Sequence, residues 1–532
     1  MSAQVFSDHG GDNACRSLGW KASVCGLVGA AIVLIGTARF GIATSPDSAA
    51  YLSAARSLVA GNGFIRYDDE PYTHWPPMVP LLLAAAGRIG IEQLTAFRYV
   101  NAACFGLTVL LTGLTLGDRV LSLRVWRIGM AAVLCAYPLV RINVYAWSEG
   151  VFVLFLVLFA RSLDAYLRKP SLWIILGCGV WAACAILTRY IGLIVVPVGL
   201  WIIFLGIRRS PGRAIRDAAL FLILAMTPIV IWLIRNQTVS GTPTGWRTEV
   251  RAPLWRNAWL MADAVSQWIL PEVIPTAIRC AALAAFLALI LILWIRYEKQ
   301  HSVIPGGLRS AAWSPWVCLT ATYALGLVVA TSTIELGATL DQRFASPLFI
   351  PMLVILVPAT ELVFSNARLF GNRWLWRSAG LAVCVWIGYL AIGTAGTVWY
   401  YGWRGGGFSA PQWRESPTIA YLRANPLPGE IHSNHPSVIY LLTGRNAKFL
   451  PRRTGEPTLD LWIKDVSDTL ANGTTVHIIW WNQQTREATY RMEELESVVP
   501  LTLERDLGDS ILYRVRGQPA APNSPANPDS GP

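Results

Sequence analysis

Apolar runs of about 18–22 residues recur through the first 400 residues of this chain, each long enough for one helix to cross a bilayer. Lipid offers no partner for backbone N–H and C=O groups, so such runs must close their hydrogen bonds internally. They lack the two-residue alternation of a membrane barrel strand, which leaves a helical bundle. Only 14% of residues are charged and the mean hydropathy is +0.44, against about 25% charged in soluble domains. This balance excludes a disordered chain, a disulfide-stapled mini-protein and an ordinary cytosolic enzyme.

The fold class that follows is a polytopic α-helical membrane protein of about 11 spans with a C-terminal extracytoplasmic α/β domain. The spans are read at 22–41, 97–117, 128–146, 149–167, 171–188, 190–207, 217–235, 276–296, 313–334, 343–363 and 378–400. A shorter apolar piece at 77–90 suits a half-inserted helix. Residues 22–41 show no small-residue cleavage site and read as a retained first helix. With the N-terminus cytoplasmic, the inner connectors hold 15 Lys and Arg in 50 positions, and the outer ones 8 in 94. The positive-inside rule therefore sets the N-terminus in and, with an odd span count, the C-terminus out. The net charge of +12 lies largely in these connectors, so it signals orientation rather than nucleic acid. None of the nine cysteines follows Cys384 and no CxxC pair occurs, so neither a disulfide framework nor a zinc site is expected.

The domains expected are a cytoplasmic tail at 1–21, a membrane domain at 22–401 with a first outer loop at 42–76, an α/β domain at 402–516 and a disordered tail at 517–532. Within 402–516, strands are read at 429–433, 447–450 and 475–481, and helices at 415–424, 436–443, 458–471 and 485–497. The pair 499–504 and 510–515 reads as a closing hairpin.

The first outer loop carries the most information. Ser45 can cap a helix, Pro46 suits its first turn, and Tyr51, Leu52, Ala55, Leu58 and Val59 repeat at helical spacing before Gly61. A short amphipathic helix lying flat on the outer membrane surface is expected. Asp47, in its first turn, suits the positive end of the helix dipole, and equally a base that takes or orients an incoming hydroxyl proton. The acidic run Tyr67-Asp68-Asp69-Glu70 reads as a solvated loop, or through Asp69 or Glu70 as a site for a cation. His74, in Thr73-His74-Trp75-Pro76-Pro77, is an interfacial histidine that would need a facing carboxylate to act.

Pro46-Asp47-Ser48 with Tyr51, Gly61-Asn62-Gly63-Phe64 and the Trp75-Pro76-Pro77 passage together resemble the first outer loop of the GT-C glycosyltransferases. The resemblance is to the family 39-like bacterial group, relatives of protein mannosyltransferases and lipid A aminoarabinose transferase. Weaker echoes stand at Ser148-Glu149, Thr188-Arg189-Tyr190 and Asp341-Gln342-Arg343-Phe344. Asp47 matches the family's first-loop catalytic aspartate. No paired acidic motif flanks it, so no cofactor is implied firmly and a divalent metal stays open.

The resemblance implies a polyprenyl-phosphate-linked sugar donor and a lipid, glycan or protein acceptor, used on the non-cytoplasmic face of the cell (inner) membrane. The departing phosphate then needs a fixed cation, and arginine supplies a permanently charged fork. Arg189 and Arg343 lie at outer span ends, as do Glu149 and Tyr190; these join Tyr51, Asp69 and His74 as substrate-binding candidates beside catalytic Asp47. Glu149 can hold an arginine in place or meet sugar hydroxyls. Arg98, Arg235, Arg247, Arg251, Arg256 and Glu249 are further outer charges. Asn236-Gln237-Thr238 and Asn472-Gly473-Thr474 match the glycosylation pattern weakly. In the C-terminal domain, His432, His435 and Asp465 are the only grouping that suggests a site, and His477 stands on a separate strand. A transporter or flippase is the alternative, against which stand the lack of repeated halves and of paired broken helices; an envelope scaffold leaves the Asp47 loop without purpose.

Overall fold

The computed structural model describes residues 11–205, 210–247, 252–300, 314–334, 340–369, 373–453, 457–482 and 489–517. Contacts gather the chain into two compact units. One comprises residues 1–43, 75–244 and 249–405; the other comprises 44–74, 245–248 and 406 onward.

The first unit is helical and membrane-spanning. Among the described residues, eight helices are long and apolar enough to cross a bilayer: Ser17–Gly36, Gln93–Gly117, Leu123–Val144, Glu149–Arg168, Pro211–Ser240, Pro315–Thr333, Gln342–Glu361 and Gly380–Arg404. Four shorter apolar helices, Met78–Arg88, Leu172–Thr188, Tyr190–Phe204 and Thr276–Ala288, accompany them. Each expected span coincides with one of these helices, but 171–188, 190–207 and 276–296 fall on the shorter set. The piece at 77–90 forms the helix Met78–Arg88, preceded by the helix-breaking Pro76-Pro77.

Close packing fixes the first bundle contact. A Cβ on Gly26 would lie 2.8 Å from the Gly106 carbonyl oxygen, and one on Gly106 would lie 2.7 Å from that of Gly26. Only glycine lets these two helix backbones meet so closely. Arg98 then closes the end of the first helix, its Nη2 donating to the Leu34 carbonyl at 2.9 Å and its Nε to Thr37 Oγ1 at 2.9 Å. Its role is a cap on the last carbonyls of that helix.

The second unit is built on a five-stranded mixed sheet. Strands β1 (Glu430–Ser433), β2 (Lys448–Phe449), β3 (Val476–Trp481), β4 (Leu501–Asp506) and β5 (Ser510–Val515) lie in the order β2-β1-β3-β5-β4. β1 is parallel to β2 and β3, while β5 is antiparallel to β3 and β4. The central β3, Val-His-Ile-Ile-Trp-Trp, is buried throughout, as a strand covered on both faces must be. Ile479 and Trp481 join one core with Phe408, Trp413 and Ile419; Val476, Ile478 and Trp480 join another with Trp462, Ile463 and Val466. Helices Pro417–Ala424, Pro436–Thr443 and Leu459–Ala471 answer three of the expected helices. The fourth reduces to Met492–Glu496, and residues 483–488 lie outside the described set. So does the tail beyond Gly517.

The first-loop segment belongs to this second unit. Helix Pro46–Val59 begins on a Ser45 cap, with the Ser45 N–H donating to Ser48 Oγ at 3.0 Å. Every residue from Ser48 to Ala55 is buried. An amphipathic helix would keep a polar face in water, so that part of the expectation is corrected: Ser48–Ala55 are covered on every side. The reason is in its composition, because Ser48, Ala49, Ala50, Ser53, Ala54 and Ala55 are small enough for packing on all sides.

Candidate functional site

In the membrane unit the charged candidates converge on one carboxylate. The chain reaches it through an extended stretch rather than a helix. Ala43 N–H donates to the Val144 carbonyl at 2.9 Å, and Ala146 N–H to the Ala43 carbonyl at 2.7 Å. Asn101, fully buried in the second long helix, donates from Nδ2 to the Tyr145 carbonyl at 2.6 Å. These bonds satisfy backbone that lies inside an apolar bundle and hold the start of helix Glu149–Arg168.

Glu149 stands at the first position of that helix, 1% exposed. Its Oε1 accepts from Arg189 Nη1 at 2.7 Å and from Arg343 Nε at 2.5 Å. Arg189 is presented by the break after helix Leu172–Thr188, where its own backbone is extended (φ −150°, ψ 135°) before a 3-10 turn over Tyr190–Ile194. Its Nη1 also lies 3.0 Å from Ser148 Oγ. Arg343 is presented by the short helix Gln342–Ala345, which Asp341 caps by accepting from the Arg343 N–H at 2.9 Å. The Arg343 guanidinium lies over the Trp147 ring, 4.0 Å from its centroid, and Trp147 in turn stacks on Tyr145 at 4.0 Å. Aromatic faces of this kind hold a cation where water is scarce.

Charge balance is the chemical content of this cluster. Two guanidinium groups share this one carboxylate, on side chains that are 17%, 15% and 1% exposed. Such a cluster favours an anion, and arginine forks match phosphate oxygens in shape. Tyr190 is placed differently. Its hydroxyl accepts from Trp232 Nε1 at 3.1 Å and Asn236 Nδ2 at 3.3 Å, and Arg235 Nη1 donates to Asn236 Oδ1 at 3.0 Å. Asn236 is itself fully buried.

In the second unit the first-loop candidates separate into distinct roles. Asp47 lies in the first turn of helix Pro46–Val59 and is half-buried. Tyr51 is 1% exposed in the middle of that helix. The acidic run is the tip of a small hairpin, with Ile65 bridged to Pro71 and Tyr72 N–H donating to the Phe64 carbonyl at 2.9 Å. Asp68 is buried and paired with Arg66. Asp69 adopts a left-handed backbone (φ 63°) and accepts from Asn446 Nδ2 at 2.6 Å; burial raises its carboxyl above the usual range. The run is thus a docked hairpin in which Tyr67 and Asp68 are buried while Asp69 and Glu70 stay exposed.

His74 is held by the segment around Gly245. Arg247 Nη2 donates to the His74 carbonyl at 2.6 Å, and a Cβ on Gly245 (φ +76°) would come within 2.6 Å of His74 Nδ1. Burial, then the charges of Arg66 and Arg247, push the imidazole down to about 3, so it is neutral at physiological pH. Arg251 and Glu249 lie outside the described residues, and Arg256 is exposed on helix Leu254–Ser266.

One group among the described residues has metal-ligand spacing: Glu430, His432 and Asp465, whose ligand atoms lie within 4.8 Å of one another. Its chemistry does not fit a metal. Lys448 Nζ already sits 2.8 Å from Glu430 Oε2 and 3.0 Å from Asp465 Oδ2. His432 Nδ1 accepts from Trp462 Nε1 at 2.9 Å, which assigns the ring proton to Nε2, the nitrogen 3.5 Å from Glu430 Oε2. A metal-binding histidine has the opposite arrangement, donating from its remote nitrogen. The bond with His432, aided by Lys448 and opposed by burial, holds the Glu430 carboxyl down at about 2. His435 instead packs against Trp413, ring centroids 5.7 Å apart.

Reading the sequence had named Glu149, Arg189 and Arg343 but not Trp147, Asn101 or Tyr323, whose hydroxyl donates to the Phe344 carbonyl at 2.8 Å. Asn101 offered a signal, since a polar amide inside an apolar span must find a partner in the bundle. Trp147 offered none beyond its place beside Ser148-Glu149.

No family model matches the sequence, and no curated protein matches it. Solved structures do. ArnT from Cupriavidus metallidurans in the apo state matches with a TM-score of 0.56 at 12% identity, covering 91% of this chain and 96% of that one. The same protein bound to undecaprenyl phosphate gives 0.57 at 11% identity, covering 92% and 97%. The archaeal oligosaccharyltransferase AglB from Archaeoglobus fulgidus, in complex with an inhibitory peptide and a dolichol-phosphate, gives 0.51 at 12% identity, covering 87% and 69%. The chain has an ArnT-like fold.

Proposed function

We propose that this integral membrane protein transfers a sugar from a polyprenyl-phosphate donor to a lipid, glycan or protein acceptor on the non-cytoplasmic face of the cell membrane. The N-terminus is then cytoplasmic and the sheet domain extracytoplasmic. The observation that carries the proposal is the convergence of Arg189 and Arg343 on buried Glu149, in a chain of this fold. In the step proposed, the acceptor oxygen forms a bond to the anomeric carbon and gives its proton to the Asp47 carboxylate. The bond from the anomeric carbon to phosphate oxygen breaks, and the electron pair leaves with the polyprenyl phosphate. Arg189 and Arg343 stabilise that departing charge, which preorganised donors do best where water is excluded. Glu149 keeps both guanidinium groups oriented.

The test is transfer in vesicles, using a panel of radiolabelled polyprenyl-phosphate sugars, a membrane extract as acceptor, and chelator in half the samples. Wild-type protein should transfer label, and a folded Asp47→Asn protein should lose at least about 100-fold, within the range for a positioned acid or base. Arg343→Lys should lose about tenfold, because one ammonium replaces a two-pronged donor. Equal transfer by wild type and Asp47→Asn would remove Asp47 from the chemistry. Movement of labelled donor across the bilayer without transfer would support the flippase alternative.

A further inference from the structure

The helix that carries Asp47 is attached at two places to the far end of the chain. At its start, the Thr44 carbonyl accepts from Phe408 N–H at 3.0 Å, and Thr44 Oγ1 lies 3.1 Å from Ser409 Oγ. Along its length, it packs against helix Pro436–Thr443 of the sheet domain. There Tyr440, 5% exposed, meets two first-loop side chains. The Arg56 guanidinium lies 5.5 Å from the centre of its ring, with Nη1 3.4 Å from its hydroxyl, and the Tyr67 ring stacks on it at 5.5 Å with an interplanar angle of 25°.

The hairpin that follows the helix is docked on the same domain. Ala447 N–H donates to the Tyr67 carbonyl at 3.1 Å, and Asn446 holds Asp69. Asp69 is the one described non-glycine residue with a left-handed backbone. A conformation of that kind persists where surrounding contacts over-determine it. The loop is therefore shaped by the sheet domain at its start, middle and tip.

We propose that the sheet domain sets the position of the Asp47 helix, with Tyr440 as the positioning residue that clamps Arg56 and Tyr67. Tyr440 touches no reacting atom; it acts through the helix. The activity half of the test rests on the reading of Asp47 given above, and the labelling half does not. A displacement of about 1 Å in a reacting group can cost 100-fold in rate, so a loosened clamp should appear in kcat rather than in donor KM.

The experiment uses the full-length chain in vesicles. Asp47→Cys is treated with a membrane-impermeant maleimide, and modification at position 47 is followed by mass spectrometry, alone and combined with Tyr440→Ala, Tyr440→Phe or Leu503→Ala. Leu503, exposed on β4, is the remote control. Labelling should quicken about fivefold or more with Tyr440→Ala and stay near the parent rate with Tyr440→Phe and Leu503→Ala, as expected when local opening grows. In parallel, with Asp47 intact, Tyr440→Ala should lower kcat about tenfold or more with donor KM within about twofold, and Tyr440→Phe should restore it. Unchanged labelling in Tyr440→Ala overturns the positioning role. Faster labelling with unchanged kcat supports the positioning role and overturns the catalytic reading of Asp47. If Tyr440→Ala lowers the yield of folded protein, Arg56→Gln tests the same clamp from its other side, with the same two outcomes.

Discussion

The two units each hold a three-charge cluster, and the clusters are mirror images. In the membrane unit one carboxylate, Glu149, serves two cations, Arg189 and Arg343. In the sheet unit one cation, Lys448, serves two carboxylates, Glu430 and Asp465. The first is left with an excess positive charge and the second with an excess negative one. Glu149 is 1% exposed and its arginines 17% and 15%, whereas Asp465 is 44% exposed, so water screens the second cluster more. A histidine fixed by Trp462 turns its Nε2 toward the second cluster, 3.5 Å from Glu430 Oε2. What distinguishes a candidate anion site from a structural network here is the sign of the imbalance and its burial, not the number of charges.

The comparison breaks most severely at Glu149. Glu149→Gln keeps the shape but removes the buried negative charge that two partly buried guanidinium groups share. We expect a loss of about 3–5 kcal/mol of stability, read as a lowered unfolding midpoint in detergent, together with loss of sugar transfer. Lys448→Met breaks the mirror cluster and should cost less, about 1–2 kcal/mol, because its partners are partly solvated. Added calcium should raise the unfolding midpoint of Lys448→Met and leave the wild type unchanged, since only the variant has carboxylates without a cation. A calcium-independent midpoint in that variant would show that Lys448 neutralises nothing that matters.

Acid should separate two further groups within the sheet unit. His74 is held at about 3, below its ordinary 6.5. The unfolded chain therefore binds a proton that the fold refuses, and stability falls as pH drops below about 6.5. Glu430, held at about 2, contributes stability that is complete above its ordinary 4.5 and is lost as pH falls toward 2. Unfolding midpoints measured from pH 7 to 4.5 should thus decline for wild type and flatten in His74→Gln, with the Glu430 contribution appearing only below that window. The smallest effect belongs to Asp69→Asn. Asparagine tolerates the left-handed backbone and can still pair with Asn446, so stability should change by less than about 1 kcal/mol and sugar transfer should stay within twofold.

Much of the bundle was legible because apolar length is a local property: every expected span met a helix. The sheet was legible for a similar reason, since continuous apolar β3 and the Leu507-Gly508-Asp509 turn are short-range signals. What could not be read was pairing. Glu149 and Arg343 are 194 positions apart, and no local pattern says that they meet. The acidic run looked solvated because its partners, Arg66 aside, come from residues such as Asn446, 377 positions away. The Asp47 helix lacks its expected polar face for a different reason: the small residues between the members of its apolar stripe let protein close over the other side.

The anchoring of Thr44 to Ser409 across 365 positions, and of Arg56 to Tyr440 across 384, also orders the making of the molecule in time. At about 5–20 residues per second of synthesis, the first loop emerges roughly 20–70 s before its partners exist. Through that interval the Asp47 helix lacks its Thr44–Ser409 and Arg56–Tyr440 attachments, while the membrane helices that follow it are already being inserted. The growing chain therefore carries its candidate base unassembled until the last quarter has been translated, and the part made first becomes competent last.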